Sequence, residues 1–315
     1  MSPPEMPSPA SNAGRARVAV VVVSYNSGAT LPRVLSALAA QTLPDFRLIV
    51  VDNASVERPR ALLDQVPFAV TYLEQDQNLG FAGGMNVGLA AVTEPYLVAL
   101  NPDAFPEPDW LAQLVAAADC LPRVAAFGSL QRDAADEARI DGFGDHYLFS
   151  GQAWRGAELP ASSGPGPAYC FGACAAAALY RTEALRAIGG FDDRYFCFYE
   201  DVDVCFRLRL AGHQCAVIRD AVVRHVGGAS FEGKSDFAEF LMARNAWWTL
   251  VKNMPGPLLA LAAVSHLAVN ALSWLKGGPR ARFRGLREGL ARTGEFLATR
   301  REVQSRRVVG AWDVA

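Results

Sequence analysis

Residues Val18–Ser24 form an unbroken apolar, valine-rich run. Such a run reads as a strand buried on both faces, not as the alternating pattern of a half-exposed one. Asn26-Ser27-Gly28 then turns the chain, and Thr30 with Pro32 marks the start of a helix reaching about residue 40. Residues 47–51 repeat the buried-strand pattern and stop at Asp52-Asn53. Val70–Glu74 predicts a third strand, followed by a glycine-rich turn and a helix over about 82–92. Tyr96–Leu100 predicts a fourth strand, ending at Asn101-Pro102-Asp103. Strands alternating with helices imply a mostly parallel, doubly wound α/β sheet, whose ligands bind beyond the carboxyl ends of the strands. Asn26, Asp52 and Asp103 all fall at such ends.

The second half is less periodic. Residues 151–168 are rich in Gly, Pro and Ser and predict a loop or lid. Residues 169–181 are apolar and small, suited to packing beside a site. Gly189-Gly190-Phe191-Asp192 is a turn, 201–210 a helix with Asp201 and Asp203 in its first turn, and 216–225 a strand ending at His225. Residues 258–275 carry no charge, the lower limit for spanning a bilayer, yet His266, Asn270 and Ser273 form one polar stripe. Residues 276–307 hold ten Lys/Arg against three Glu. An apolar helix followed by a basic stretch suits the surface of an anionic leaflet; a helix packed on the domain with a solvated basic tail is the alternative.

Composition adds boundaries. With 315 residues, about half of them apolar, and a net charge of −2, the chain is globular and is not a nucleic-acid binder with a global basic field. The six cysteines form no CxxC pair and no zinc spacing, which predicts reduced thiols, mostly in the core, and a reducing compartment. Residues 1–14 are rich in Pro and Ser, predicting a disordered tail without the basic start and apolar run of a signal peptide.

The chemistry concentrates at Tyr199-Glu200-Asp201-Val202-Asp203, three carboxylates within four residues, amid Phe196, Phe198, Val204 and Phe206. Burying so much negative charge is costly unless something positive or protonated lies opposite. Such a cluster marks a metal site, a general base or an arginine network. Asp103 and His225 offer oxygen and imidazole nitrogen to a hard cation, although each also fits a merely structural role. Asp52 suits either a nucleobase imide or an Asx turn. The glycines at 80, 83, 84 and 88 lack dinucleotide-binding spacing, and their run follows the third strand instead of the first, so a nicotinamide enzyme is disfavoured.

Seven short runs, in this order, carry a family resemblance: Val21-Val22-Val23-Ser24-Tyr25-Asn26, Val51-Asp52-Asn53-Ala54-Ser55, Asn78 to Gly88, Leu100-Asn101-Pro102-Asp103, Gly190-Phe191-Asp192, Tyr199 to Asp203, and His225. From about Val18 to Asn245 the chain resembles inverting glycosyltransferases of family 2 with the GT-A fold, and within them the bacterial rhamnosyltransferase-like branch. The resemblance implies a nucleotide pocket with Asp52 on the pyrimidine base, Ser24, Tyr25, Asn26 and Asn53 around it, and Asn78, Gly80, Gly83, Asn86 and Asn101 helping to hold nucleotide and sugar. It implies Mg²⁺ or Mn²⁺ at Asp103 and His225, with Asn101 in place of the first acid of a DxD motif. It makes Asp201 the general base, with Glu200 as its rival for that role, and Glu200 and Asp203 as positioning or acceptor-binding groups. Arg244-Asn245, with Trp247 and Trp248 beyond, is expected to face the acceptor or lipid.

The layout expected is a tail over 1–15, a GT-A catalytic domain over 16–250, and a C-terminal helical, membrane-associating extension over 251–315. The activity implied is transfer of a sugar, L-rhamnose from dTDP-rhamnose, to a glycolipid or cell-surface polysaccharide precursor at the cytoplasmic face of the membrane. A UDP-sugar donor such as galactofuranose or N-acetylglucosamine is the rival within the same fold. A non-catalytic membrane-tethered binding protein and a nucleotide-sugar hydrolase are rivals of other classes.

Overall fold

The computed structural model describes residues 16–158, 166–227 and 235–314. The tail expected over 1–15, the middle of the loop expected over 151–168, and Gly228-Ala229-Ser230 lie outside the described residues.

The chain begins with β1 (Val18–Ser24), α1 (Leu31–Ala39), β2 (Phe46–Asp52), α2 (Arg60–Leu63), β3 (Val70–Glu74), α3 (Gly80–Ala91), β4 (Tyr96–Leu100), β5 (Ala104–Pro106) and α4 (Trp110–Cys120). It continues with β6 (Val124–Asp133), β7 (Ile140–Gly142), β8 (Asp145–Tyr147), β9 (Ala153–Arg155), β10 (Ala168–Cys170), β11 (Ala177–Arg181) and α5 (Thr182–Ala187). Then come α6 (Glu200–Leu210), β12 (Gln214–His225), α7 (Asp236–Asn253), α8 (Gly256–Leu275), α9 (Arg280–Ala291) and α10 (Thr293–Ser305).

The main sheet runs β10-β12-β6-β11-β4-β1-β2-β3, with β5 and β7 attached at β12 and β6. Strands β3, β2, β1 and β4 are mutually parallel. Strand β11 is antiparallel between β4 and β6, and β12 is parallel to β6. Hence β6 and β12 point the same way as β1–β4, and Ser24, Asp52, Leu100 and His225 end at one edge. In β1, Val18, Val20 and Val22 face a core with α1 and α4, while Ala19, Val21 and Val23 face a second core with α3 and α6. Both faces of the valine run are therefore buried, as its lack of alternation predicts. Thr30 occupies the N-cap position of α1 without a side-chain cap; its hydroxyl instead donates to Ser27 O at 3.4 Å.

Two glycines of α3 fix how closely it lies on β1: a Cβ at Gly84 or Gly88 would strike the Val23 or Val21 side chain. The helix starts at Gly80, whose φ of +71° suits glycine, and a Cβ there would strike the Phe196 carbonyl oxygen.

The division expected at 250/251 falls inside α7. Helices α7, α8 and α10 enclose a third core around Tyr195, Phe206, Trp248 and Phe296, in which the Trp248 and Phe296 rings stack at 4.4 Å. In α8, His266 and Asn270 are buried, whereas Leu261, Val264, Leu272, Trp274 and Leu275 are exposed. His266 Nδ1 lies 2.7 Å from Ser150 O, so the polar stripe is the packed face.

Replacing Gly80 by Ala combines a left-handed backbone with a clash against main chain. It should destabilise the protein by about 1–3 kcal/mol. A thermal melt reads this, and an unchanged Tm would contradict the packing described.

Candidate active site

The end of β1 and the end of β2 are stitched together. Ser24 and Asp52 are register partners, and Asn53 N donates to Ser24 O at 2.8 Å. Asn26 Oδ1 accepts from Val56 N, and Asn26 N donates to Ser55 Oγ, both at 2.9 Å. Asp52 is fully buried: Oδ1 accepts from Ser55 N at 3.3 Å, Oδ2 from the Tyr72 hydroxyl at 3.1 Å, and Arg58 stands 3.9 Å away. Asp52 thus closes a turn of Asx type at the strand edge. Tyr25 stands half-exposed beside it.

The glycine-rich run is bound to its neighbours through side-chain amides. Asn53 Nδ2 donates to Gly80 O at 2.8 Å, and Asn78 Oδ1 accepts from Gly80 N at 2.9 Å. Asn86 grips Phe191 with both ends of its amide, Nδ2 to O at 2.8 Å and Oδ1 from N at 2.9 Å. Gly83 is buried, and a Cβ there would press on Leu79. Asn86 and Gly83, expected to help hold nucleotide and sugar, therefore serve first as scaffold.

The opposite end of the edge holds Asp103 and His225. Strand β5 pairs β12 so that Ala104 faces His225, and Val226 N donates to Asp103 O at 3.1 Å. Half-buried Asn101 donates its main-chain N–H to Ala176 O at 2.8 Å. His225 Nδ1 lies 2.8 Å from Asp141 Oδ2, which also accepts from Arg155 Nη1 at 2.7 Å. His225 Nε2 is 3.4 Å from Asp103 Oδ1 but is buried without a hydrogen bond. Burial works against the imidazolium, yet Asp103 and Asp141 outweigh it and hold the His225 pKa above its ordinary value.

This donor set fits a divalent cation. A metal-bound histidine turns its second nitrogen to a carboxylate, as His225 does to Asp141, leaving the first free. Among the described residues no three His, Cys, Asp or Glu side chains gather as a complete site. Hard cations of nucleotide enzymes, however, take only one or two protein groups and complete their shell with substrate phosphates and water.

The three carboxylates of α6 meet three environments. Half-buried Asp201 accepts from Ala175 N at 3.1 Å through Oδ2 and from Val202 N at 2.8 Å through Oδ1. Glu200 is buried with Oε2 unpartnered; burial first, and the charge of Asp201 next, push its pKa well up. Asp203 is fully buried and accepts from Arg207 at 2.6 and 2.8 Å, Lys252 at 2.9 Å and Asn253 at 2.8 Å. Burial alone would raise the Asp203 pKa, but the charges of Arg207 and Lys252 hold it below the usual carboxylate range. Its oxygens are thus taken up inside the protein. Behind this cluster lies a cavity of about 320 Å³, bounded by Gly190, Asp192, Arg194, Lys252 and Val303 and not by Asp52, Asp103 or Asp201.

Several residues of the site escape the sequence reading. Asp145 and Arg155 are register partners in the β8–β9 hairpin, both on its inner face, while His146 and Trp154 stack at 5.2 Å on the outer one. Asp145 is buried with Oδ2 unpartnered, and burial, then the charge of Asp201, raises its pKa well above the usual range. Two short apolar-polar segments around a five-residue loop containing Gly151 are the only sequence sign of this hairpin. Of the run expected to face acceptor or lipid, half-buried Arg244 donates Nη2 to Tyr195 O at 3.0 Å, and Asn245 is fully buried.

A family model described as Glycosyl transferase family 2 matches residues 19–189. The chain is 30% identical over 234 residues to the N-acetylglucosaminyl-diphospho-decaprenol L-rhamnosyltransferase of Mycobacterium tuberculosis, covering 65% of this chain and 75% of that protein. It is 33% identical over 224 residues to galactofuranosyltransferase GlfT1 of the same organism, covering 67% and 71%. Among solved structures, mannosyltransferase PcManGT from Pyrobaculum calidifontis in complex with GDP-Man and Mn2+ gives a TM-score of 0.58 at 20% identity, over 93% of this chain and 86% of that one. S. aureus TarS 1-349 in complex with UDP-GlcNAc gives 0.62 at 14% identity, over 92% and 88%. These structural likenesses show a shared GT-A fold.

Asp203→Asn leaves Arg207 without its buried carboxylate and Lys252 with Asp192 in its place, and should cost about 3–5 kcal/mol of stability. Because the Asp203 pKa is depressed, its contribution is full above the ordinary carboxylate range and is lost as pH falls through the lowered value. Thermal melts against pH should therefore show a steeper acid loss of Tm in the wild type than in D203N; parallel slopes would contradict this.

Proposed function

The chain belongs to glycosyltransferase family 2, and on that premise we propose that it is a metal-dependent inverting transferase moving L-rhamnose from dTDP-rhamnose to a hydroxyl of a lipid-linked glycan. The observation that carries the metal-dependent site is the buried, unpartnered Nε2 of His225 facing Asp103, on the edge that also holds Asp52 and Asp201. In this reading Asp52 and Tyr25 hold the base of the donor, and Asp103 and His225 would hold Mg²⁺ or Mn²⁺. When bound, that cation neutralises charge on the leaving diphosphate.

Asp201 accepts the proton of the acceptor hydroxyl while that oxygen bonds to the anomeric carbon and the carbon–diphosphate bond breaks. One displacement inverts the centre and yields glycoside and nucleoside diphosphate. Accessibility favours Asp201 over Glu200 as base. The Glu200 carboxyl is buried with Oε2 unpartnered, and burial first, then the charge of Asp201, push its pKa well up, which disfavours it as the reacting carboxylate.

The donor follows the mycobacterial rhamnosyltransferase to which this chain is similar. The similarity to GlfT1 supports a second reading, with a UDP-galactofuranose donor. The exposed apolar face of α8, with Lys276, Arg280, Arg284 and Arg287 exposed beyond it, supports peripheral attachment to the cytoplasmic face of the membrane, where a lipid-linked acceptor is presented. The β8–β9 turn lies against the packed face of α8 through Ser150 and His266, so the helix adjoins that hairpin.

Asp201→Asn should lower turnover by about 10²–10⁴-fold, whereas Glu200→Gln should keep it within about tenfold, because Glu200 is buried and does not reach the acceptor. Mass-spectrometric assay of product from dTDP-rhamnose reads both; a fully active D201N sinks the base assignment, and turnover with UDP-galactofuranose alone moves the donor. Leu272→Glu with Leu275→Glu should release the protein from anionic vesicles in a sedimentation assay. Unchanged pelleting would remove α8 as the attachment face.

A further inference from the structure

The loop that delivers Asp201 holds an unusual backbone. Phe196, Phe198 and Tyr199 have φ of 65°, 66° and 67°, so three non-glycine residues within four adopt positive φ. Such conformations are costly for side chains with a Cβ and persist only where the surroundings impose them. Local hydrogen bonds bear on Phe196, where Cys197 N donates to Tyr195 O at 2.8 Å and Phe196 N to Asp193 O at 3.0 Å; the loop has no glycine, and Tyr199, the N-cap of α6, makes no side-chain cap.

The constraint comes from α7. Asn245, fully buried, directs Nδ2 at the carbonyls of Tyr195, Cys197 and Phe198, at 3.0, 2.9 and 2.7 Å. One amide nitrogen thus gathers three carbonyls that an extended chain would point apart. Arg244 Nε donates to Asn245 Oδ1 at 3.0 Å, which sets the orientation of the amide. From the other sides, Ala82 N donates to Phe196 O at 3.1 Å and Ala153 N donates to the Tyr199 hydroxyl at 2.8 Å. Tyr199 O then accepts the first helical bond of α6, from Asp203 N at 2.8 Å, and Asp201 lies between these two residues.

We infer that Asn245 is a positioning residue for the reaction: it holds the 196–199 loop in its positive-φ conformation and so sets where the Asp201 carboxylate meets the acceptor. The inference rests on the reading of Asp201 as base. It also makes α7, which lies outside the segment matched by the family model, part of the catalytic machinery.

The test is steady-state kinetics of full-length Asn245→Ala, with nucleoside diphosphate binding by calorimetry and a thermal melt on the same samples. A displaced base should lower kcat about 100-fold, with nucleoside diphosphate Kd and donor KM within about threefold of wild type. Adding Phe198→Gly, which reaches positive φ without strain, should recover about tenfold of the lost kcat. Should N245A fail to fold, Asn245→Ser, which keeps one donor, is read in the same way. A folded variant with kcat within about threefold of wild type, nucleotide binding lost in step with kcat, or a double variant no better than the single would each overturn the inference. Asp201→Asn run alongside separates the two readings: if it stays active the base assignment fails, and if it is dead while N245A is active only the positioning role fails.

Discussion

The buried carboxylate of Asp203 is the contact on which the arrangement depends. With no exposure, it is tolerable only because Arg207, Lys252 and Asn253 all donate to it. Lys252 also reaches Asp192 at 2.7 Å, and Asp192 pairs with Arg194. One ion cluster therefore ties the start of α6 to α7 and to the turn after Gly190. That turn is in turn gripped by Asn86 of α3. The position of Asp201, two residues before Asp203, follows from these ties and not from any preference of its own.

Three acids of one short run show how environment divides labour among like residues. Glu200 is buried without a cation and its pKa is pushed up; Asp203 is buried with cations that hold its pKa down but is unreachable; Asp201 is both anchored and accessible. The same logic governs the other end of the sheet edge. Asp141 engages one nitrogen of His225 and leaves the other facing Asp103, so a carboxylate outside the expected pair orients the histidine inside it.

The parallel half of the fold is legible in the sequence because buried strands announce themselves: Val18–Ser24 and Tyr96–Leu100 fall where their apolar runs place them, and the half-buried edge strand Val70–Glu74 falls where its own run places it as well. The ends of those strands, and with them Asp52 and Asp103, are legible for the same reason. Strand β6 is not, since its run of small residues ending in Gln-Arg-Asp gains strand character only from β11 and β12 on either side. The β8–β9 hairpin is equally hidden, being two three-residue strands fixed by tertiary contacts, and Asp145 and Arg155 are hidden with it. The polar stripe of α8 is visible in the sequence, but whether it faces in or out is decided by Ser150 and Trp247, far away in the chain. Asn245 lies in the same category: its type and position are plain, and its three carbonyl partners are not.

The central claim is that one sheet edge gathers a nucleotide-diphosphate site completed by a divalent cation. Calorimetric titration of dTDP and of UDP into the full-length protein, with Mn²⁺ and then with chelator, tests it most directly. The account predicts binding of a pyrimidine nucleoside diphosphate that weakens by about tenfold or more when the metal is removed. Binding of neither nucleotide, or binding indifferent to the metal, would contradict it.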